Sequence, residues 1–261
     1  GILDSILERL ADYLESSESL KSKVKGALTY PIVVFGIAAL VVLALVMFVL
    51  PQFKEIFMGM NVELPMVTQM LLATSDFMIS WWFIILPAIV AVPILIWNFF
   101  QTKTGARIFD TNILRMPAIG MMMRKVAVAK FTRTLGTLIA SGVPILQALE
   151  VTSQTAGNVV IAEAVDKTRI SIREGESIAD PLKNSGVFPP MVVQMSAVGE
   201  ETGELDNMLS KIADFYDTEV DTAVKGLTSI IEPIVIVFMG IVIGGIVLAV
   251  FMPMLKLVNA T

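Results

Sequence analysis

Pro31–Leu50 reads PIVVFGIAALVVLALVMFVL, twenty residues without a charge. At 1.5 Å per residue such a helix covers about 30 Å, the thickness of a bilayer's hydrocarbon core. No polar face is left for water, so the run is read as a transmembrane helix. Two more stretches share its character. Phe77 to Phe100 is uncharged and carries Trp81, Trp82 and Trp97 near its ends, where indole rings favour the headgroup region; Pro87 and Pro93 are expected to bend it. Pro233 to Leu255 is rich in Ile and Val. Its Gly240, Gly244 and Gly245, with Gly36 in the first run, are the expected close-packing positions, within the chain or between protomers.

Composition agrees with a chain that largely faces lipid. Its 261 residues are 55% hydrophobic and 16% charged, with a mean hydropathy of +0.77, too apolar for an ordinary soluble domain. There is no Cys and no His, which excludes thiolate metal sites, disulfides, imidazole bases and the nucleophile systems built on His. A net charge of −5, with the basic residues scattered, offers no field for DNA or RNA.

Lys and Arg are unevenly divided among the segments. Residues 1–30 hold Arg9, Lys21, Lys23 and Lys25, and residues 101–232 hold thirteen more, whereas the connection between the first two runs has only Lys54 and the tail only Lys256. Cytoplasmic segments retain such charges. The expected order is a cytoplasmic helix over 1–30, a span over 31–51, a periplasmic loop over 52–76, a span over 77–100, a cytoplasmic helical domain over 101–230, a span over 231–255 and a periplasmic tail over 256–261. Leu3 to Lys25 is amphipathic rather than of signal-peptide type, so insertion relies on the spans themselves.

A constant offset of 202 residues aligns Gly1–Lys54 with Gly203–Lys256 without a gap. It pairs Leu3-Asp4 with Leu205-Asp206, Ala11-Asp12-Tyr13 with Ala213-Asp214-Phe215, Pro31-Ile32-Val33 with Pro233-Ile234-Val235, and Pro51 with Pro253. Each copy reads as an amphipathic helix running into a proline-initiated span that ends at another proline. Because residues 107–202 precede only the second copy, the chain is expected to be the C-terminal portion of a longer duplicated protein, the loss of one half-domain being the alternative.

The middle domain shows helix punctuation and hardly any strand alternation, so an all-α fold with a six-helix bundle is expected. Met116-Pro117 to Gly120 closes a short helix; Met121–Ser141 follows, with Val128, Phe131, Leu135 and Leu138 on one face. Pro144 opens the next, Asn158 caps another running to Arg173, and Ser177 caps a short one. Phe188-Pro189-Pro190 leads into Met191–Val198, and Gly199-Glu200-Glu201-Thr202-Gly203 is read as a tight turn. The last helix places Leu205, Met208, Leu209, Ile212 and Phe215 on one stripe and continues into the third span.

Lys130-Phe131-Thr132-Arg133-Thr134-Leu135, Ser141-Gly142-Val143-Pro144-Ile145-Leu146, Phe188-Pro189-Pro190-Met191 and Val198-Gly199-Glu200-Glu201-Thr202-Gly203-Glu204-Leu205-Asp206 together resemble the type II secretion F domain family, which includes PilC-like pilus platforms and GspF-like secretion platforms. The resemblance covers nearly the whole chain. It implies two six-helix cytoplasmic domains and three spans, the first domain truncated here. It also implies a non-enzymatic, cofactor-free inner-membrane platform that forms a homo-oligomer and associates with other inner-membrane components and the lipid bilayer. That platform contacts a cytoplasmic hexameric assembly or retraction ATPase and helps move pilin or pseudopilin subunits into a fibre. No G-x-x-x-x-G-K-[ST] phosphate loop occurs.

Several side chains stand out for partner contact. Arg124, Lys125, Lys130 and Arg133 are read as docking an acidic rim of the ATPase or meeting anionic headgroups, with a solvated helix face as the alternative. Glu200, Glu201, Glu204 and Asp206 gather four carboxylates at an expected helix N-terminus: a capping turn with a solvated face, a partner contact, or a weak Ca²⁺ or Mg²⁺ site. Glu232 sits beside Pro233 at the start of the third span and is a candidate for membrane coupling. A rival class, a small transporter or channel, would need polar groups or broken helices at the bilayer midplane, and the spans offer only prolines and glycines.

Overall fold

The structure, a computed structural model, describes residues 2–59, 64–117 and 119–258, with side chains omitted for 2–10, 12, 13, 16, 27, 28, 57, 58 and 253–258. Every regular element among the described residues is helical, so the chain is all-α. In order these are α1 (Ile2–Ala44), a π-helical turn (Leu45–Val49), α2 (Leu50–Gly59), α3 (Met66–Ser80), α4 (Trp82–Phe100), α5 (Lys103–Ile113), α6 (Ile119–Ala140), α7 (Ile145–Thr155), α8 (Val159–Arg173), α9 (Ala179–Asn184), α10 (Pro190–Thr202) and α11 (Leu205–Val258). Three segments are long and apolar enough to cross a membrane: Ser17–Ile56, Trp82–Phe100 and Leu205–Met252. The chain divides into two units, residues 1–27 with 99–227, and residues 28–98 with 228–261.

In the second unit, prolines act differently from the sequence expectation. Pro51 does not end the first span; it lies inside the helical run that continues to Gly59. Proline lacks an N–H and its ring crowds the preceding turn, and the ladder responds by widening: Leu50 N–H bonds to Leu45 O across the π-helical turn. In that register the Val46 carbonyl would need the amide of residue 51, which is proline. The buried Ser75 hydroxyl of α3 donates to it instead, at 2.6 Å. Pro253, the counterpart of Pro51, likewise lies within α11 and leaves the Ala249 carbonyl without its i+4 amide. The buried Thr68 hydroxyl donates to that oxygen at 2.7 Å. Thr68 and Ser75 are two turns apart on one face of α3, beside the apolar cluster of Val46, Leu50, Leu72, Ile246 and Val250.

Residues 52–76, expected as a loop, are mostly helical through α2 and α3; positions 60–63 of that segment fall outside the described residues. The second apolar run starts later than expected, because the helix breaks at Trp81, whose ring stacks on Phe77 at 5.9 Å. Pro87 and Pro93 both lie inside α4. Among the described residues, the expected close packing at Gly36, Gly240, Gly244 and Gly245 is not made: a methyl group added at any of them would meet no atom within 4 Å. Positions 259–261 of the tail lie outside the described residues.

The first unit gathers α5–α10 with the starting portions of α1 and α11, so it holds more elements than the six of the sequence expectation. Its core joins Val128, Phe131 and Leu135 of α6 to Leu149, Ile161, Val165, Leu182, Val192, Leu209 and Ile212, all essentially inaccessible, and Leu20 of α1 enters the same cluster. The Phe131 and Phe188 rings lie 4.6 Å apart. Two glycines permit close approaches to α11: a Cβ at Gly136 would meet Leu209 Cβ at 3.1 Å, and one at Gly199 would meet Leu205 Cα at 2.8 Å. Asn158 caps α8 as expected, accepting from Val160 and Ile161 amides. Ser177 does not cap α9; the Glu200 carboxylate reaches across from α10 and accepts from Ile178 N at 3.0 Å. The tight turn expected at Gly199–Gly203 is instead the last turn of α10, closed by Gly203 alone at φ 74°. On α11 the buried face runs Leu209, Ile212, Ala213, Tyr216 and Val220, while Phe215 is 48% exposed. The expected stripe was one position off after Ile212.

Candidate functional site

The basic face of α6 is divided by the fold. Arg133 reaches α11, with its guanidinium 2.7 Å from Asp214 and 2.6 Å from Asp217 and its side chain only 19% exposed. Burial alone would lower its pKa; hydrogen bonds to Asp217 and Asp214, with their charges, outweigh that and raise it. Lys125 pairs with Glu219 at 2.6 Å. Residue numbers rise on α6 as they fall on α11, so the two helices are antiparallel and these pairs fasten them together.

Lys130 is part-buried, its ammonium next to Gly157, and its pKa is lowered by burial first and by the charge of Lys21 second. Arg124 is exposed and lines a cleft with Arg115, Lys125 and Tyr216. Tyr216 is buried, and burial with the nearby Glu219 charge raises its pKa. The four basic residues singled out in the sequence therefore do not form one docking patch.

The acidic set is likewise dispersed. Glu200 and Glu201 end α10 rather than beginning a helix, Glu200 is occupied at α9, and Glu204 accepts from Asn207 at 3.4 Å. Among the described residues no three acidic side chains converge as a cation site would require. Glu232 is exposed on α11, as its repeat counterpart Tyr30 is on α1.

Sequence reasoning missed Thr68 and Ser75, and a signal was there: hydroxyls seven residues apart in an apolar helix ahead of the second span, in a chain whose first and third spans each reach a proline. It also missed Lys23 of α1, which pairs with Asp221 of α11 at 2.9 Å. Nothing local marks that contact.

A helical membrane chain whose first and last long helices share cores with a helical domain is the class these observations define. The family described as "Type II secretion system (T2SS), protein F" matches residues 1–51 and 131–253, and the chain belongs to that family. It is 49% identical over 261 residues to the Type IV pilus assembly protein PilC of Myxococcus xanthus, covering 100% of this chain and 62% of that protein. It is 44% identical to the PilC of Thermus thermophilus, over 99% of this chain and 64% of that one. Type II secretion system protein F of Vibrio cholerae is 35% identical, over 99% of this chain and 64% of its own length. The chain thus spans less than two thirds of the length of these relatives.

Proposed function

We propose that this chain is the membrane platform of a type IV pilus assembly machine in the bacterial inner membrane. It couples a cytoplasmic hexameric motor ATPase to the extraction of pilin subunits from the bilayer and their addition to a fibre. The observation that carries this reading is likeness over the whole of this chain to pilus assembly proteins, at 49% and 44% identity against 35% for the secretion protein. The role is non-enzymatic and needs no cofactor. In this reading the first unit is cytoplasmic, which the thirteen Lys and Arg of residues 101–232 favour, and the C-terminus is periplasmic. Several copies and other inner-membrane components complete the assembly.

Of the sequence candidates on α6, Lys125 and Arg133 already hold α11, which leaves Arg124 for either an acidic rim of the ATPase or an anionic headgroup. Glu201 is the most available of the acidic set, and Glu232 is the candidate at the membrane boundary. The test is reconstitution of the full-length protein in nanodiscs with the motor ATPase. Binding with an altered hydrolysis rate is the expected result. No binding, together with solute flux through liposomes, would replace the platform with a transporter.

A further inference from the structure

The cleft lined by the α5–α6 connection, the first turns of α6, Pro189 and Tyr216 of α11 has a volume of about 390 Å³ and joins two kinds of surface. Its floor is apolar, with Leu114, Met116, Pro117 and Met121 among its lining residues, and Arg115 and Arg124 stand at its edge. Both arginines are exposed, and no carboxylate pairs with either among the described residues. Lys125 contributes less free charge, since Glu219 neutralises it.

The route of the chain into this cleft limits what it can meet. The second candidate span ends at Phe100, and α5 starts at Lys103. Eleven residues of helix rise about 16 Å, so the cleft lies within a short reach of the residue that leaves the membrane. α5 carries Arg107, which pairs with Glu163 at 3.2 Å at the surface, and Asp110, which accepts from Val159 N at 2.6 Å at the start of α8. Its large apolar residues are left outside, Ile108 at 48% and Phe109 at 42% exposure, followed by Met116 and Met121 at 48% and 67%. Exposed apolar residues flanked by unpaired guanidiniums next to a span are the pattern of a helix lying in the headgroup layer.

We infer that this cleft binds an anionic phospholipid, with Arg115 and Arg124 holding the phosphate and Met116 and Met121 receiving the glycerol and first acyl carbons. Guanidiniums suit a phosphate because they offer paired donors in a fixed plane, and the apolar floor gives preference for a lipid over a free phosphate. An acidic protein segment would satisfy the arginines but leave the exposed Met116 and Met121 side chains of the lining uncovered.

These 261 residues contain no cysteine, so with any cysteine elsewhere in the full-length protein replaced by serine a single label is possible. Met121→Cys in the full-length protein is labelled with bimane and reconstituted in phosphatidylcholine vesicles containing a minority of either brominated phosphatidylglycerol or brominated phosphatidylcholine. Stronger quenching by the brominated phosphatidylglycerol is expected, with the preference falling at least about tenfold in Arg115→Gln/Arg124→Gln, since each cation near an anionic surface is worth about fivefold. A control label at Glu174→Cys, exposed at the end of α8, is expected to show no preference. Equal quenching by the two lipids overturns the inference, as does a preference unchanged in the double variant or shared by the control label. So does a label untouched by bromolipid that responds only when the motor ATPase is added, which would assign the cleft to a protein partner.

Discussion

The two copies related by the 202-residue offset begin alike and are buried differently. Ala213 is fully inaccessible in the core of the first unit, whereas its counterpart Ala11 is exposed. Tyr216 is 6% exposed and Leu14, at the same place in the other copy, 58%. Val220 is buried, and Glu18 in its place is open to solvent with a Lys21 partner. The helical period gives both segments an apolar stripe, but a stripe is buried only where other helices cover it. Within these 261 residues α6 and α10 cover α11 and leave these positions of α1 uncovered, the face that a preceding domain of a longer duplicated chain would take. α1 is held instead through Leu20 and Lys23.

The sharpest way to break this contrast is to place the same charge at the same repeat position. In a protein of these 261 residues, Ala213→Asp is expected to cost roughly 3–5 kcal/mol, because it buries an unpaired carboxylate, while Ala11→Asp changes stability by no more than about 0.5 kcal/mol. Thermal unfolding of the reconstituted protein followed by circular dichroism reads both. Equal losses would mean that α1 is covered as thoroughly as α11. Next in size is the aromatic pair: Tyr216→Ala should lose about 3 kcal/mol and Leu14→Ala almost none.

The prolines allow a finer comparison, because the copies share the defect and differ in its register. Ser75→Ala and Thr68→Val each leave a buried carbonyl unsatisfied and are expected to cost about 1–2 kcal/mol. Restoring the missing amide should cancel the loss selectively: Pro51→Ala with Ser75→Ala, and Pro253→Ala with Thr68→Val. Additive double-variant cycles would show that the hydroxyls do not serve the proline defects.

The smallest expected effect concerns the place where the first copy meets a like charge. Lys130 has a folded pKa below its ordinary 10.5, through burial and Lys21. The folded state therefore binds its proton less tightly than the unfolded chain, and stability rises with pH between the depressed value and 10.5. Lys21→Gln should reduce that rise without removing it, since burial is the larger cause. A pH series of melting temperatures up to the alkaline limit checks this; a slope unchanged by Lys21→Gln would discard the Lys21 contribution.

Local signals in the sequence were sufficient for much of the fold. Asn158 as a cap, Gly203 as a helix stop and the uncharged runs are readable because each depends on a few adjacent residues. The candidate site was less legible. Arg124, Lys125, Lys130 and Arg133 look equivalent along α6, and only the carboxylates of α11, more than eighty residues away, separate the two that fasten helices from the one that faces the cleft. Phe215 and Tyr216 were exchanged for the same reason: a stripe one residue wide does not say which edge a neighbour will cover.

By itself the sequence determined three membrane-long apolar helices, an all-α chain, the repeat and the absence of His and Cys chemistry, because length, charge and residue type act without reference to distant partners. Tertiary structure alone decided that Ser75 and Thr68 complete the carbonyls freed by two prolines, that Glu200 caps α9, and that Ala213 is buried where Ala11 is not. Each of those outcomes depends on which helix arrives at an unsatisfied backbone group or an open apolar face, and that is set by packing rather than by local pattern.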